Sequence, residues 1–414
     1  RVIRGNRDRV FARTHFEEVA RAIPGAEDYD VGASGHMVML ERRDAVNRAI
    51  ERFVLGARSW RTDAGPAAAA SSPKTTLSRE RPWLASYDEA VPHTIGLPRV
   101  PLHRFLRSAA RRFPLKTALL FEGARMTYRR LNRDSSRFAN ALIALGVQPG
   151  ARVLLLLPNL PQTVICFFGA LKAGATVVFT TPLSEPEELI RQINDSQAQV
   201  LVTLTRLGEV ARQAKERSGL RHVIFTNVKE YLPPHKQALF SLMREAKEGH
   251  RLPFVPDPAQ GIHLLQRLLV SAGPRSPQVA VAPDDMAVLQ YTGGTTAQPK
   301  GVMLTHAGLV ANTLQTRHWI PDLREGKETF LCVLPFSHVY GMMAALCVPV
   351  VMGGSMLLVP AFETERVLRL IKRYRPTLFP GVPTMFQAIA SFRGVRRFGI
   401  SSIRACISGA APLP

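Results

Sequence analysis

The stretch from residue 289 to residue 306, LQYTGGTTAQPKGVMLTH, combines glycines, threonines and one lysine directly after an apolar run. Gly293 and Gly294 allow positive φ angles and close approach of the backbone, so successive N–H groups can line a concave anion site. Lys300 adds a positive charge. Hydroxyl donors come from the threonines of the stretch, Thr292, Thr295 and Thr296. The pattern predicts a phosphate-binding turn at the end of a buried strand.

Two other interpretations of this stretch compete with that prediction. The Walker loop of nucleoside triphosphatases has Gly-Lys followed by Ser or Thr, whereas here Pro299 precedes Lys300 and Gly301 follows it. The spacing therefore excludes a Walker loop. The second alternative is a glycine- and threonine-rich hairpin turn without a ligand, but turn chemistry alone gives little reason for the threonines and the Pro-Lys-Gly exit.

Further motifs occur in order on both sides of this stretch. RPWLASYDEAVP and TYRRLNRDSSRFANALIALGVQPGARV precede it, and LPFSHVYGMM (334–343), TLFPGVPTMF (377–386) and IRACISGAAPLP (403–414) follow it. Together these motifs resemble the adenylate-forming (AMP-binding) superfamily, and within it the bacterial long-chain fatty-acid–CoA ligases. The resemblance covers residues 81–414. Ala297 departs from it, since most members have glycine at that position.

The resemblance implies that ATP, Mg²⁺ and coenzyme A convert a fatty acid into an acyl-adenylate and then into acyl-CoA. It implies catalytic roles for Lys300, Thr295 and His338, and places His338 at the substrate carboxylate, with Met342 and Gly381 along the acyl tunnel. Thr295 or Thr296 would help to hold Mg²⁺. The implied nucleotide-binding residues are Thr292, Gly293, Gly294, Thr295, Thr296, Lys300, Gly301, Gly409, Ala410, Ala411 and Pro412. From spacing alone, a core histidine satisfied by the backbone is the alternative for His338, and ordinary core packing is the alternative for Met342.

Residues 1–55 carry a different signal. Asp8 and the later Gly-His pair at His36 resemble the last strand, loop and helix of an α/β-hydrolase, where an acid orients a catalytic histidine. No GxSxG nucleophile motif occurs in the chain, so this would be a partial hydrolase segment with an incomplete triad. A Gly-His turn before a surface helix is the alternative. Residues 56–80, rich in Ala, Ser, Pro and Gly, predict a flexible linker.

The amino-acid composition argues against several other classes of function. The 414 residues are 46% hydrophobic, and 54 basic against 32 acidic residues give a net charge of +22. Because these charges are dispersed and no aromatic-interleaved basic stripe accompanies them, we expect no nucleic-acid partner. Weak attraction to anionic lipid, ATP and CoA fits better, with a cytoplasmic location that allows peripheral association with the inner membrane face. The scattered cysteines, which lack metal-ligand spacing, predict buried thiols in a reducing compartment.

Strand and helix patterns alternate after residue 80, which predicts an α/β domain with parallel-rich sheets flanked by helices. The apolar run at 153–183 could be mistaken for a membrane span, but Pro158, Pro161, Lys172 and Gly174 interrupt it. It is better explained as a strand at 153–157, a helix at 162–173 and a strand at 176–179. Residues 229–282 are Pro-rich and irregular, which indicates a surface insertion or, alternatively, a lipid-facing or substrate-entry element.

The chain ends before the family's acidic Mg²⁺ ligand, ribose-binding aspartate and C-terminal lysine. We therefore expect residues 81–414 to be the N-terminal part of a ligase catalytic domain that lacks its C-terminal portion and is nearly inactive alone. Two alternatives within the same chemistry are an aryl-CoA ligase and an acyl-AMP ligase that loads a carrier protein. An alternative from another class is a catalytically incomplete acyl- or nucleotide-binding fragment. Neither acyl chain length nor oligomeric state can be predicted from the sequence.

Overall fold

The computed structural model describes residues 2–4, 28–30, 81–181, 185–292, 299–320 and 322–412. The chain divides into two compact units, Arg1–Ala85 and Ser86–Pro414. In the first unit, strand β1 (Val2–Arg4) pairs in parallel with β2 (Asp28–Asp30). Asp8, His36 and the segment 56–80 lie outside the described residues, so the partial hydrolase and the linker stay predictions.

The second unit contains a seven-stranded sheet. Its strands are β5 (Arg152–Leu156), β6 (Thr176–Phe179), β7 (Ala198–Leu204), β8 (His222–Thr226), β9 (Ile262–Leu264), β10 (Met286–Tyr291) and β11 (Gly301–Thr305). Their order across the sheet is β11-β10-β6-β5-β7-β8-β9. All neighbouring strands are parallel except β10 and β11, which form an antiparallel hairpin.

A six-stranded sheet completes this unit. Its strands are β3 (Thr117–Phe121), β4 (Ala124–Thr127), β12 (Thr329–Cys332), β13 (Ser355–Leu358), β14 (Leu378–Gly381) and β15 (Ala405–Ser408). They lie in the order β15-β14-β12-β13-β3-β4, and only β3 and β4 are antiparallel neighbours. The prediction of parallel-rich sheets is confirmed.

Helices connect these strands. They are α1 (His103–Arg112), α2 (Tyr128–Ala144), α3 (Pro161–Lys172), α4 (Pro186–Ser196), α5 (Gly208–Glu216), α6 (Pro234–Met243), α7 (Leu265–Ser271), α8 (His306–Trp319), α9 (Val339–Gly341), α10 (Val348–Met352), α11 (Thr364–Tyr374) and α12 (Pro383–Ala390). A π-helical segment, Met342–Cys347, joins α9 to α10. Most apolar side chains of the strands and of α3 form one core that reaches from one sheet to the other.

The apolar run at 153–183 folds as strand β5, helix α3 and strand β6, as predicted. Every residue of α3 is buried, which explains the lack of a polar face in the sequence. Pro161 begins the helix, where its missing N–H costs no hydrogen bond, and Gly174 follows its end with φ +73°. Where helices α2 and α3 cross, a Cβ on Gly169 would lie 2.7 Å from the Phe138 ring, so only glycine fits.

The interpretation of residues 229–282 as a surface insertion is wrong for part of that segment. Ile262–Leu264 forms β9, which pairs in parallel with β8 at the edge of the seven-stranded sheet. Leu265 and Leu269 of the following helix α7 are buried in the core. The short strand escaped prediction because three residues carry too little periodicity. Helix α6, by contrast, does expose apolar side chains, namely Leu239, Leu242 and Met243.

The cysteine prediction is correct at three positions and wrong at one. Cys166, Cys332 and Cys347 are buried free thiols, whereas Cys406 is exposed on edge strand β15. The error arises because β15 is an edge strand with one covered face. Alternate side chains of such a strand point to the uncovered face and are exposed. Within the described ranges, no helix has the length and apolar character needed to cross a membrane.

Candidate active site

The predicted phosphate-binding residues lie in the connection between β10 and β11. Residues 293–298 fall outside the described ranges, but both ends of the connection are described. The Thr292 N–H donates to the Lys300 carbonyl oxygen over 3.0 Å, and Tyr291 pairs with Gly301 in antiparallel register. The connection is therefore a hairpin loop, with Lys300 exposed at its base. The predicted residues for which the structure gives no position are Gly293, Gly294, Thr295 and Thr296.

This hairpin differs from a Walker loop in the element that comes after the turn. A Walker loop leads into a helix whose N-terminal amides face the phosphates, whereas this loop leads into the antiparallel strand β11. A phosphate bound here would depend on loop amides, threonine hydroxyls and Lys300. In the part of the chain that the structure describes, no carboxylate forms an ion pair with Lys300. Its ammonium group therefore remains available to an anion.

Strand β10 connects this hairpin to the segment that carries His338. The buried side chain of Gln290 donates from Nε2 to the carbonyl oxygen of Ser337 over 2.6 Å. Its Oε1 is buried and has no partner among the described residues. Gln290 thus holds the residue before His338 against the strand that leads into the predicted phosphate hairpin. The two predicted site segments, about 40 residues apart in sequence, are brought together here.

His338 is exposed and caps the short helix α9. Its Nδ1 accepts a hydrogen bond from the Tyr340 N–H over 3.2 Å. Because Nδ1 acts as an acceptor, the ring carries its proton on Nε2. Partial desolvation lowers the pKa of His338 below its ordinary value, so the ring is neutral at neutral pH. The exposed Nε2–H can then donate to one oxygen of a substrate carboxylate. The alternative of a buried core histidine does not apply.

Asn159 fixes the backbone just before His338. Its Nδ2 donates to the carbonyl oxygens of Cys332 (3.0 Å) and Leu334 (2.8 Å), and its Oδ1 accepts from the Phe336 N–H (2.9 Å). The side chain is 1% exposed. Asn159 follows the carboxyl end of β5 in the sequence LLPNLPQ. Sequence analysis missed this residue, although a polar side chain between two prolines at a strand end was a signal that could have identified it.

Tyr340 joins the three downstream motifs. Its hydroxyl donates to the carbonyl oxygen of Ile407 over 2.6 Å and lies 3.3 Å from that of Gly381. Burial raises the pKa of this phenol to about 12, so it stays a donor. A Cβ on Gly409 would lie 3.1 Å from the tyrosine ring, so the backbone at 409 approaches the ring closely because it is glycine. Sequence analysis missed Tyr340 as well.

The predicted adenine-binding residues follow strand β15 directly. Gly409 is half-buried beside Tyr340, whereas Ala410, Ala411 and Pro412 are exposed. Ala410 adopts φ +65°, a left-handed conformation that alanine takes at some cost in free energy. Adenine binding at this turn stays a prediction.

An ion-pair network anchors the start of β15. Arg404 donates to Glu328 Oε1 over 2.8 Å and also pairs with Asp322. Glu328 is fully buried and further accepts from the Thr377 hydroxyl (2.6 Å) and the Arg324 N–H (3.0 Å). Burial alone would raise the pKa of Glu328, but these hydrogen bonds and charges outweigh burial and lower it. The carboxylate is therefore charged and fixes β15 against β12 and β14.

The structure places the predicted acyl-tunnel residues in tightly packed surroundings. Met342 is fully buried within the core, as the alternative of ordinary packing supposed. A Cβ on Gly381 would lie 2.8 Å from Cζ of Phe386. The space that the sequence assigned to an acyl chain beside Gly381 is therefore occupied by the Phe386 ring. A chain could pass this position only if that ring moved.

A comparison with known proteins identifies the family of this chain. Residues 106–414 match the family described as AMP-binding enzyme. The chain belongs to this family. It is 39% identical over 340 residues to a long-chain-fatty-acid–CoA ligase of Bacillus subtilis, a match that covers 82% of this chain and 60% of that protein. It is 30% identical over 318 residues to 4-coumarate–CoA ligase 1 of Petroselinum crispum, with coverages of 76% and 53%.

The family assignment agrees with the fold. The crystal structure of the anthranilate CoA ligase AuaEII in complex with anthranoyl-AMP superposes with a TM-score of 0.65 at 23% identity, covering 77% of this chain and 57% of that one. At that identity the likeness supports the fold alone. The chain spans about 60% of the length of the Bacillus subtilis relative. The predicted adenylate-forming fold and family are confirmed, and the hydrolase resemblance of residues 1–55 stays a prediction.

Proposed function

We propose that the protein activates a long-chain fatty acid with ATP and transfers the acyl group to coenzyme A. The observation that carries this proposal is the Gln290–Ser337 hydrogen bond, which holds the predicted phosphate hairpin and the predicted carboxylate-binding segment together. In the first step, a carboxylate oxygen attacks the α-phosphorus of ATP, and pyrophosphate leaves with the electrons of the broken bond. In the second, the CoA thiol attacks the acyl carbon and AMP leaves.

The residues take separate roles in the first step. Lys300 and the amides of the hairpin bind the β- and γ-phosphates as negative charge moves onto pyrophosphate. Nε2–H of His338 orients the carboxylate, so that two anionic reactants meet in a fixed geometry. The turn at 409–412 supports adenine. Catalysis therefore depends on positioning and on neutralisation of charge, and needs no covalent bond to the protein.

Mg²⁺ enters this proposal as a partner of ATP. Its ligands would be phosphate oxygens with the hydroxyl of Thr295 or Thr296, because Mg²⁺ prefers hard oxygen ligands and keeps several waters. The hydroxyl of Thr292 is directed to the Lys300 carbonyl oxygen at 3.4 Å, which makes Thr292 less suited to that role. Bound Mg²⁺ would neutralise charge on the departing pyrophosphate.

The position of Phe386 favours a second candidate within the same chemistry. If the acyl group enters beside Gly381, the Phe386 ring shortens the space for it, which favours a short acid such as an aryl acid. An aryl-CoA ligase is therefore the second candidate, supported also by the resemblance to the 4-coumarate ligase. The long-chain candidate requires rotation of the Phe386 side chain. Phe386→Ala removes the ring, and it should then lower KM for long-chain acids more than KM for aryl acids.

The surface of α6 supports a further proposal about where the fatty acid is acquired. Leu239, Leu242 and Met243 are exposed by 55%, 85% and 63%, and Lys236 and Arg244 flank them. Because Lys236 pairs with Glu122 and Arg244 with Glu248, the apolar side chains would make the contact with a membrane surface. Sedimentation with vesicles containing phosphatidylglycerol, compared between wild type and Leu242→Asp, tests this. Equal sedimentation of both proteins would contradict it.

The proposed function is tested by substrate-dependent pyrophosphate exchange. The full-length protein should exchange labelled pyrophosphate into ATP in the presence of palmitate, and should form palmitoyl-CoA when CoA is added. Benzoate and 4-coumarate separate the second candidate from the first. Exchange with neither class of acid, under conditions in which the protein is folded, would refute both.

A further inference from the structure

A polar cavity lies near the start of strand β10, whereas the predicted phosphate hairpin lies at the end of that strand. The cavity has a volume of about 440 Å³ and is lined by His103, Arg104 and Arg107 of α1, by Lys172 of α3 and by the segment 276–280. Small-molecule sites typically have volumes of about 300–1,000 Å³. The cavity is therefore large enough for an organic ligand.

The charges around this cavity have one sign. Arg104 and Arg107, one helical turn apart on α1, are exposed, and neither forms an ion pair within the described part of the chain. Lys172 is only 3% exposed, and Nδ1 of His103 is buried without a hydrogen-bond partner among the described residues. No carboxylate occurs among the described residues that line the cavity. Such a surface favours a ligand with several negative charges.

Lys172 is held in place independently of any ligand. Its ammonium donates to the Asn132 carbonyl oxygen and Oδ1, both at 2.8 Å, and to the Ser136 hydroxyl at 3.0 Å. Burial, and then the charge of Arg107, lowers its pKa to about 7. An anion in the cavity would offset that repulsion and favour the charged ammonium. Because its three N–H groups already have acceptors, Lys172 would act on such an anion through its charge.

The segment 276–280 is a fixed wall of the cavity. Before it, Asn140 Nδ2 donates to the carbonyl oxygens of Gly273 (2.6 Å) and Arg275 (2.8 Å). After it, the Ala282 N–H donates to Asp285 over 2.7 Å. In its middle, Val279 packs so closely on the turn after α3 that a Cβ on Gly174 would lie 3.0 Å from its side chain. The wall is thus anchored on both sides.

Strand β10 separates this cavity from the phosphate hairpin. The segment 276–280 precedes the first residue of β10, and the hairpin loop comes after its last residue. A strand of this length, six residues, spans about 20 Å at about 3.4 Å per residue. A ligand in the cavity therefore cannot be the ATP molecule held at the hairpin.

We propose that this cavity is a second anion-binding site that takes a small phosphate compound with two or more negative charges. Arg104 and Arg107 would bind the phosphate oxygens, with N–H groups of the segment 276–280 as further partners. One guanidinium group can donate to two phosphate oxygens at once. Two arginines one helical turn apart, neither in an ion pair, therefore suit a ligand with several phosphate oxygens. The ligand would tie α1 to the segment that leads into β10.

Isothermal titration calorimetry with inorganic pyrophosphate tests the proposal on the full-length protein, with AMP as a second probe. We expect wild type to bind pyrophosphate at two sites and Arg104→Ala/Arg107→Ala to lose one of them. Arg111→Ala/Arg129→Ala is the matched control, because it removes two exposed arginines that line no described cavity. If the variant loses a site for AMP as well as a site for pyrophosphate, the ligand class includes nucleotides. If it loses a pyrophosphate site and binds AMP as wild type does, the ligand is an inorganic polyphosphate. Equal pyrophosphate stoichiometry in wild type and variant contradicts the proposal.

Hydrogen–deuterium exchange gives a second readout that does not depend on a variant. Pyrophosphate should slow amide exchange in the segment 276–280 as well as in the hairpin at 292–300. Protection confined to the hairpin, together with equal stoichiometry in wild type and the Arg104/Arg107 variant, would overturn the proposal. The cavity and the hairpin are separate sites. A failure of palmitate-dependent pyrophosphate exchange would therefore refute the proposed function without refuting the second anion-binding site.

Discussion

Replacement of Asn159 by alanine tests whether this side chain fixes the backbone before His338. The change leaves two carbonyl oxygens and one N–H, those of Cys332, Leu334 and Phe336, without a side-chain partner in a buried region. Each unsatisfied buried group costs about 1–3 kcal/mol. The Cys332 carbonyl oxygen keeps the Val359 N–H as a donor at 3.1 Å, so two groups are left unsatisfied. Taking the lower end for these two, since water can enter part of the space left by the side chain, we expect a loss of about 2 kcal/mol in the free energy of unfolding.

The effect on activity should be larger than stability alone explains. Release of residues 332–336 would shift His338 relative to the phosphate hairpin, and a misplacement of about 1 Å can slow a positioned reaction by about 10²-fold. We therefore expect Asn159→Ala, assayed well below its unfolding temperature, to lower the rate of palmitate-dependent pyrophosphate exchange by at least about tenfold. A lower kcat with little change in KM for ATP would indicate lost positioning of the carboxylate.

Asn140 provides a matched control. It too donates twice to backbone carbonyl oxygens, but it is half-buried and contacts the segment near residue 274 instead of the candidate site. Asn140→Ala should cost about 1 kcal/mol, because water can replace its hydrogen bonds, and should leave pyrophosphate exchange unchanged. Urea unfolding followed by circular dichroism measures both variants. If Asn159→Ala lies within about 0.5 kcal/mol of wild type, the reasoning about buried backbone groups is refuted.

Three further predictions concern stability, pH and the turn after β15. Glu328→Gln should cost about 3 kcal/mol in urea unfolding, because it leaves Arg404 with a weakened buried partner. Burial lowers the pKa of His306 from 6.5 to about 4, so between these values the unfolded chain binds a proton that the folded chain does not, and stability is lost as pH falls. The loss from about pH 7.5 to about pH 5 should be about 2 kcal/mol smaller in His306→Asn, which keeps an acceptor for the Leu102 N–H. Tyr340→Phe should cost about 1–2 kcal/mol in stability and raise KM for ATP, because β15 and the turn at 409–412 lose their hydroxyl donor.

Each of these predictions has a contradicting outcome. Glu365→Gln, which breaks an exposed pair with Arg369, should cost less than about 0.5 kcal/mol, and an equal cost at Glu328 would deny the role of burial. Parallel pH curves for wild type and His306→Asn would show that this histidine titrates normally. An unchanged KM for ATP in Tyr340→Phe would separate the turn after β15 from nucleotide binding.

Sequence patterns predicted the elements that carry strong periodicity. The strand, helix and strand within residues 153–183 appear where expected, because a completely buried helix between two parallel strands leaves an apolar run with defined breaks. The predicted phosphate-binding stretch follows a buried strand, as its composition indicated. The three-residue strand Ile262–Leu264 escaped notice, since its pairing with β8 is a tertiary contact and not a local preference.

The residues that position the candidate site were not predictable in the same way. Asn159 bonds to backbone groups 173 to 177 residues away, and Tyr340 bonds to one 67 residues away. No local spacing records such partners, so these side chains had no signature beyond their polarity. Gly381 shows a different limit: the sequence predicts that it lies along the acyl tunnel, but it does not predict that the Phe386 ring lies beside it.

The central claim, that the hairpin and the His338 segment together form an adenylation site, is tested most directly by palmitate-dependent exchange of pyrophosphate into ATP in Lys300→Ala. Lys327→Ala is the control, because Lys327 is equally an exposed lysine without an ion pair among the described residues. The account predicts that Lys300→Ala slows exchange by about 10²–10³-fold, which is typical for loss of one group that stabilises developing charge, while Lys327→Ala matches wild type. Equal exchange rates in the two variants would contradict it.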